Sequence, residues 1–247
     1  MVDSKSEMES FRKGIHKVVE KYDYEPKDYS IFENFPLNDK QCLYVAHWAF
    51  EGMVYEKNLE KLTGYSLDEF SPEDLVGYTH PEDRQIVKDI TKGVVQHVIE
   101  TPFNKTESHL FISFRFLKKD GTYCKILRQS SAFERDKKGR MVSNFSLLTD
   151  ITFLDTPDRV EWDVQADELN IKAFKSSVYN AYQNFFTKRE KEIIMLIDKG
   201  NTSDSIADNL SLSPHTVLTH RKNILRKAKS HSQEDLLLFC KKNGIII

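Results

Sequence analysis

The chain has 247 residues, 39% of them hydrophobic and 30% charged, a length that suits two domains and a composition that gives each a core to bury. The formal net charge of −2 conceals an asymmetry: from Phe186 onward there are 11 basic and 7 acidic residues, against 25 and 31 before it, so the tail carries +4 and the rest −6, which confines any attraction to nucleic acid to the tail. Cys42, Cys124 and Cys240 are odd in number and widely spaced, with no CxxC pair for a zinc or redox site, and no apolar run approaches the length of a bilayer span, so a reducing cytoplasm and no membrane partner are expected.

The opening residues 1–38 read as a helical extension. Phe11, Ile15, Val18 and Val19 recur at helical spacing, and residues 1–20 are charged throughout, without the apolar core of a signal peptide. From Cys42 the pattern changes. Leu43 to Trp48 and Gly52 to Tyr55 read as two strands, followed by short helices around Asn58–Leu62, Ser66–Phe70 and Pro72–Val76. His80-Pro81-Glu82-Asp83 opens a longer helix running to about Val98, with Ile86, Ile90, Val94 and Val98 along one face. Three long strands then follow. His109 to Leu117 places Leu110, Ile112, Phe114 and Phe116 on one face, the turn Lys119-Asp120-Gly121 leads into Tyr123 to Phe133, and Lys137-Lys138-Gly139 leads into Met141 to Ile151. The predicted fold over residues 39–153 is α+β, a five-stranded antiparallel sheet with helices over one face.

That order, together with Leu62-Thr63-Gly64-Tyr65-Ser66, Glu69-Phe70, His80-Pro81-Glu82-Asp83, Lys119-Asp120-Gly121 and Asp150-Ile151-Thr152, resembles a PAS domain. The resemblance implies a unit that senses a small molecule, binds haem or flavin, or only pairs subunits, and the fold does not choose among these. Tyr44, Trp48, Ile90, Val94, Phe114 and Phe145 are the candidate lining of a ligand pocket, although aromatic residues on strands more often form core. The family's flavin photosensors need a reactive cysteine on the short helix near Pro72 to Gly77, and none stands there. A haem would want an axial ligand, for which His97 and His109 are the candidates, a surface or loop position being the plainer account of both. The cofactor is therefore left unassigned.

Residues 154–185 read as a linker. Val160, Trp162 and Val164 alternate like an extra short strand, and Phe174, Val178, Tyr182 and Phe185 fall at helical spacing, which makes the segment too apolar for a free tether and a conductor between the two domains. Residues 186–247 read as four helices. Thr187-Lys188-Arg189-Glu190 has capping-box form ahead of Ile193, Ile194 and Ile197, and Gly200 is suited to stop that helix. Thr202 or Ser203 caps a second helix with Ile206, Ala207 and Leu210. Ser213-Pro214 starts a third, and Ser232 caps a fourth bearing Leu236, Leu237 and Cys240. In the third helix Val217, Ile224 and Leu225 share one arc, while Leu218, Thr219, Lys222 and Arg226 lie away from it. Between Pro214 and His231 there are five Lys or Arg and no Asp or Glu, a phosphate-seeking field on an element that fits a major groove.

These residues resemble the LuxR/FixJ-type four-helix DNA-binding domain of bacterial transcription regulators, through Thr187 to Glu190, Gly200, Ile206-Ala207, Leu212 to Val217, His220 and Asn223 to Lys227. By position, the resemblance implies that Leu218, Thr219 and Lys222 face base edges, that Thr216, His220, Asn223 and Lys227 sit at or near the phosphate backbone, with Arg226 on the same exposed side, and that the fourth helix adds a dimer contact. Leu218 stands where the family often has Lys, and Asp204 where a basic or neutral residue is usual. The reading is a transcription regulator without catalytic activity. Its expected partners are duplex DNA, a second copy of the chain and, through the resemblance, a small ligand and RNA polymerase. The rivals are a sheet domain that only dimerises, and an enzyme domain fused to a DNA-binding tail. No group of nucleophile, base and orienting residue supports the enzyme.

Overall fold

The computed structural model describes residues 4–50, 52–102, 108–154, 156–166, 169–170, 174 and 185–246. The chain divides into two compact units, residues 1–169 and 170–247. In the first, six strands form one antiparallel sheet in the order β2-β1-β5-β4-β3-β6: β1 Gln41–His47, β2 Met53–Lys57, β3 His109–Leu117, β4 Tyr123–Arg135, β5 Met141–Asp150 and β6 Glu161–Gln165. The sequence predicts five strands in this sheet, and β6 is the sixth. Its alternation sets Val164 opposite Leu110 and Trp162 opposite Ile112, so the strand buries two apolar side chains by pairing along the edge of β3. The hop from β5 to β6 is held by Lys125 Nζ, which donates to the carbonyl oxygens of Pro157 and Arg159 at 2.8 and 2.5 Å.

The helices of this unit are α1 Ser4–Val19, α2 Leu59–Thr63, α3 Asp74–Gly77 and α4 Pro81–Glu100, with 3-10 turns at Tyr29–Phe32 and Leu67–Glu69. Pro81 stands in the first turn of α4, where its missing N–H leaves no gap, and His80 caps it by accepting the Glu82 N–H on Nδ1 at 3.3 Å. Helix α1 lays Ile15 and Val19 against Trp48, Val95, Val98 and Ile99, so its apolar stripe belongs to the core of its own sheet domain. Glu7 ties it to α4 through Lys88 and Lys92, at 2.5 and 3.2 Å. The opposite face of the sheet is covered by the stretch after α1, where Phe32, Tyr29 and Leu37 pack on Leu43, Val45, Tyr55, Phe133 and Phe145.

The residues carrying the PAS resemblance have local physical work. Gly64 ends α2 at φ 80°, and a Cβ there would stand 3.0 Å from that of Lys119, so both the left-handed backbone and the close approach call for glycine. Asp150 accepts from Thr152 N and Oγ1 at 2.9 and 2.5 Å and from Lys118 at 3.2 Å, which turns the chain at the end of β5.

The second unit holds α5 Lys188–Asp198, α6 Ser203–Leu210, α7 Pro214–Ala228 and α8 Gln233–Lys242. Each begins as its sequence predicts. Thr187, Thr202, Ser213 and Ser232 accept N–H bonds from Glu190, Ser205, Thr216 and Asp235, satisfying donors that a helix start leaves open. Ile193, Ile194, Ile197, Ile206, Ala207, Val217, Ile224, Leu236, Phe239 and Cys240 are buried. Of the predicted linker helix, Phe174 is buried, while Val178 and Tyr182 lie outside the described residues.

Candidate functional site

In the second unit, α6 and α7 are joined by Ser211, Leu212 and Ser213. Ser211 takes the left-handed conformation at φ 53°, and Leu212 N–H returns to the Ala207 carbonyl at 2.9 Å. Buried Ala207 is small, as a tight helix pair requires. Arg189 on α5 donates to the Leu210 carbonyl at 2.5 Å and closes the end of α6. Helix α7 then presents two faces. Val217, Ile224 and Ala228 are buried, whereas Leu218, Thr219, Lys222 and Arg226 are exposed, Leu218 at 55%. Thr216, His220 and Asn223 are half-buried along the borders of that face. The side chains predicted to meet bases therefore share one open surface, and those predicted to meet the backbone flank it.

Three basic residues divide their work. Lys222 reaches solvent. Arg221 is turned inward, bonded to Gln233 at the start of α8 and 3.4 Å from Ser203 Oγ on α6, so it fastens α7 to its neighbours. Lys227, predicted at the phosphate backbone, has an internal partner: its Nζ is 2.7 Å from Glu190, whose carboxylate also accepts the Thr187 N–H at 2.8 Å. Burial pushes the Glu190 carboxyl up, but the Lys227 ammonium and the Thr187 bonds outweigh it and hold the group below its ordinary value. The dimer contact expected on α8 from Leu236, Leu237 and Cys240 is corrected at two of them, Leu237 being half-buried. Leu236 and Cys240 face the core, and Leu238, 66% exposed, is the apolar residue on the outer side.

In the first unit, a cavity of about 80 Å³ lies between α4, α1 and the helix-covered face of the sheet. Tyr44, Trp48 and Val94, three of the six predicted lining residues, border it. The other three do not. Phe145 sits opposite Val45, and alternation turns both to the far face, into the aromatic cluster with Phe32. Phe114 and Ile90 point to the helix-covered side but are fully buried in packing away from the cavity. The cavity is much smaller than a haem or a flavin, and among the described residues no group of three or more His, Cys, Asp and Glu is placed to hold a metal ion. His109 borders the cavity, with Nε2 3.9 Å from Asp163.

The cavity floor is a polar row on otherwise apolar strands. Trp48 Nε1 donates to Asn144 Oδ1 at 3.0 Å, Asn144 Nδ2 donates to Ser146 Oγ at 3.2 Å, and the Ser146 and Ser130 hydroxyls lie 2.7 Å apart. Arg128 ends the row, 5% exposed, donating to Thr91 Oγ1 on α4 at 2.7 Å. Sequence reading missed Arg128, although a signal was present. It shares the parity of Cys124 and Ile126 along β4, which places a guanidinium on the buried face of a strand. Arg12 of α1 was also missed. It donates to the carbonyl oxygens of His47, Phe50 and Gly52 at 2.8, 2.9 and 3.0 Å and lies 3.4 Å from Glu73. A separate cluster on the same unit, Ser143 bonded to Glu134 at 2.5 Å with His47 3.5 Å away, resembles a hydrolytic triad in composition only. The serine hydroxyl faces the carboxylate rather than the imidazole, and all three side chains are sealed from solvent.

With this geometry in view, the comparisons assign both units. Residues 184–240 match the family described as bacterial regulatory proteins, luxR family, and residues 53–144 match the PAS fold. The chain joins a PAS fold to a LuxR-type helix-turn-helix domain. Among curated relatives, this chain is 38% identical over 79 residues to the uncharacterized response regulatory protein YgeK of Escherichia coli, a match covering 32% of this chain and 54% of that one. It is 32% identical over 81 residues to the response regulator GacA of Pseudomonas viridiflava, covering 33% and 38%. The chain thus spans about half or less of the relatives' own lengths. Among solved structures, the VqmA dimer of Vibrio cholerae is 15% identical with a TM-score of 0.36, covering 87% of this chain and 86% of that one. The N-terminal domain of a diguanylate cyclase with PAS/PAC sensor from Marinobacter aquaeolei is 22% identical with a TM-score of 0.38, covering 46% and 97%.

Proposed function

We propose that the chain is a sequence-specific DNA-binding transcription regulator that works as a homodimer, and that the cavity of its PAS fold admits the small ligand to which it responds. The observation that carries the first half is the division of α7. Its apolar arc is locked in a capped and buried three-helix frame, while Leu218, Thr219, Lys222 and Arg226 are held outward on a helix without a single acidic residue. A basic helix floating free would be an ordinary solvated face. Held at its ends by Ser213 and the Lys227–Glu190 pair and at its middle by Arg221, it is a probe of fixed shape. The second half is supported by the cavity, since a sheet unit that served only to pair subunits would have no use for an unfilled space above a polar floor.

Binding of the full-length chain to duplex DNA should weaken steeply as salt rises, because each phosphate neutralised by Lys or Arg releases a counterion. Lys222→Ala should cost about 1–3 kcal/mol on the specific site and much less on random duplex. Salt-insensitive binding would sink the reading, and an equal loss on both duplexes would make Lys222 a phosphate contact. Titrations of labelled duplex against the wild type and the variant decide between these outcomes.

A further inference from the structure

We infer that the cavity of the PAS unit takes a compact organic anion, a short monocarboxylate being the simplest member of the class, with its negative group against the Arg128 guanidinium; this rests on the proposed reading of that cavity as the ligand site. Arginine keeps its charge inside a protein, and a charge withdrawn from water is costly unless an opposite charge and a full set of hydrogen bonds replace the lost hydration. At most of its other enclosed cations the molecule supplies a carboxylate, Lys125 being an exception that is held by carbonyl dipoles. Arg12 faces Glu73, Lys88 meets Glu7, Arg115 meets Asp83 and Arg140 meets Asp136. Arg128 is treated differently. Its side-chain hydrogen bond goes to the neutral hydroxyl of Thr91, its Nε has no hydrogen-bond partner, and among the described residues no carboxylate pairs with it. Tyr44 does not supply the missing charge, since burial pushes its phenol up and keeps it protonated.

The rest of the lining points the same way. Glu73 borders the cavity, but Arg12 holds it, so two guanidiniums stand against one carboxylate and the balance is positive. The polar floor does not ask for a ligand, because Trp48, Asn144, Ser146 and Ser130 already bond to one another. The remaining walls, Val94, Val98 and Leu110 among them, are apolar and suit a short hydrocarbon body. With roughly 10–15 Å³ for each water-sized position, the cavity holds roughly five to eight non-hydrogen atoms. One guanidinium, an apolar wall and so small a space describe a short carboxylate, for which a forked arginine is the matching donor.

The test uses the full-length protein, with calorimetric titration and thermal melting against the sodium salts of acetate through hexanoate, each beside its own primary amide at equal ionic strength. At least one acid should raise the melting temperature and bind at least about tenfold more tightly than its amide, since the two have nearly the same shape and differ in charge. Arg128→Gln should remove that preference, and Ala132→Phe, which fills the space from β4, should abolish binding of acid and amide alike. Amides bound as tightly as acids, or an acid preference that survives Arg128→Gln, would overturn the anion while leaving the cavity as the ligand site. Acid binding that survives Ala132→Phe would overturn the cavity itself. If no acid of the series binds, the inference is wrong. The acid-to-amide comparison needs only the wild-type chain, so it decides the matter even if a variant fails to fold, and the DNA titrations with Lys222→Ala are independent of all these outcomes.

Discussion

At the scale of single residues, His47 is a buried imidazole whose tautomer the fold dictates. Its Nδ1 accepts the Ala49 N–H at 3.1 Å, so the ring proton lies on Nε2, which is 3.5 Å from the Glu134 carboxylate without making a hydrogen bond to it. Tyr24 and Phe50 close over the ring, and Arg12 donates to the His47 carbonyl. Burial, and to a lesser extent Arg12, pulls its pKa down against the opposing pull of Glu134. A second proton would also have to displace the Ala49 N–H. The unfolded chain therefore takes up a proton below about pH 6.5 that the folded chain refuses, and stability present above that pH is lost as pH falls toward the lower folded value. Thermal melts at about pH 7.5 and about pH 5.5 should show the sheet unit losing stability in acid, and His47→Gln should flatten that difference. An unchanged pH dependence in the variant would mean that His47 is not the group responsible. Reading single residues from sequence succeeds where the surrounding pattern is local and fails here. His47 and Arg128 look like ordinary strand residues until the partners brought by distant segments, Glu134 and Thr91, are in place.

At the scale of elements, the helix-turn-helix unit is tied by one carboxylate. Glu190 joins the first turn of α5 to the last turn of α7, so Lys227 serves the frame of the domain as well as its surface. Lys227→Met should destabilise the domain by about 1–2 kcal/mol, toward the lower value because the lysine remains partly exposed, through the loss of a partner to a nearly buried carboxylate. Faster amide hydrogen exchange across Lys188–Asp198 in the full-length variant would register it, and unchanged exchange with weakened DNA binding would return Lys227 to a purely surface role. The helices of this unit were legible because their signals are local: Thr187, Thr202, Ser213 and Ser232 cap within three residues, and Gly200 ends α5 at φ 80°. The strands β1 to β5 were legible from alternation. The place of β6 was not, because a strand's neighbour depends on which edge is free and on Lys125 reaching across to Pro157 and Arg159. The pocket was half legible for a related reason: parity along β5 already sends Phe145 away from Ser146, but only the packed helices show which parity faces the cavity.

At the scale of the whole molecule, a single recognition helix contacts only a few base pairs, so useful discrimination calls for two copies and a two-fold site. The leading helix and the segment before the second unit are not open apolar surfaces for that pairing: α1 spends its apolar stripe on Trp48 and α4, and Trp162 and Val164 are enclosed by β3. The apolar residues left outside include Phe153, Leu154 and, on the LuxR-type domain, Leu238. Sedimentation should find a dimer at micromolar concentration in the full-length protein. Leu238→Asp should weaken binding to a two-half-site duplex more than to a single half-site, and a monomer with and without DNA would contradict this. The division of labour along α7 has one more consequence. Leu218 and Lys222 face outward without a part in the core, while Arg221, Val217 and Ile224 hold the helix in place. Substitutions at outward positions of this kind usually change stability by less than about 0.5 kcal/mol. On the proposed reading of α7, lineages descending from this protein are therefore free to rewrite the address it reads, one exposed side chain at a time, while inheriting the frame unchanged.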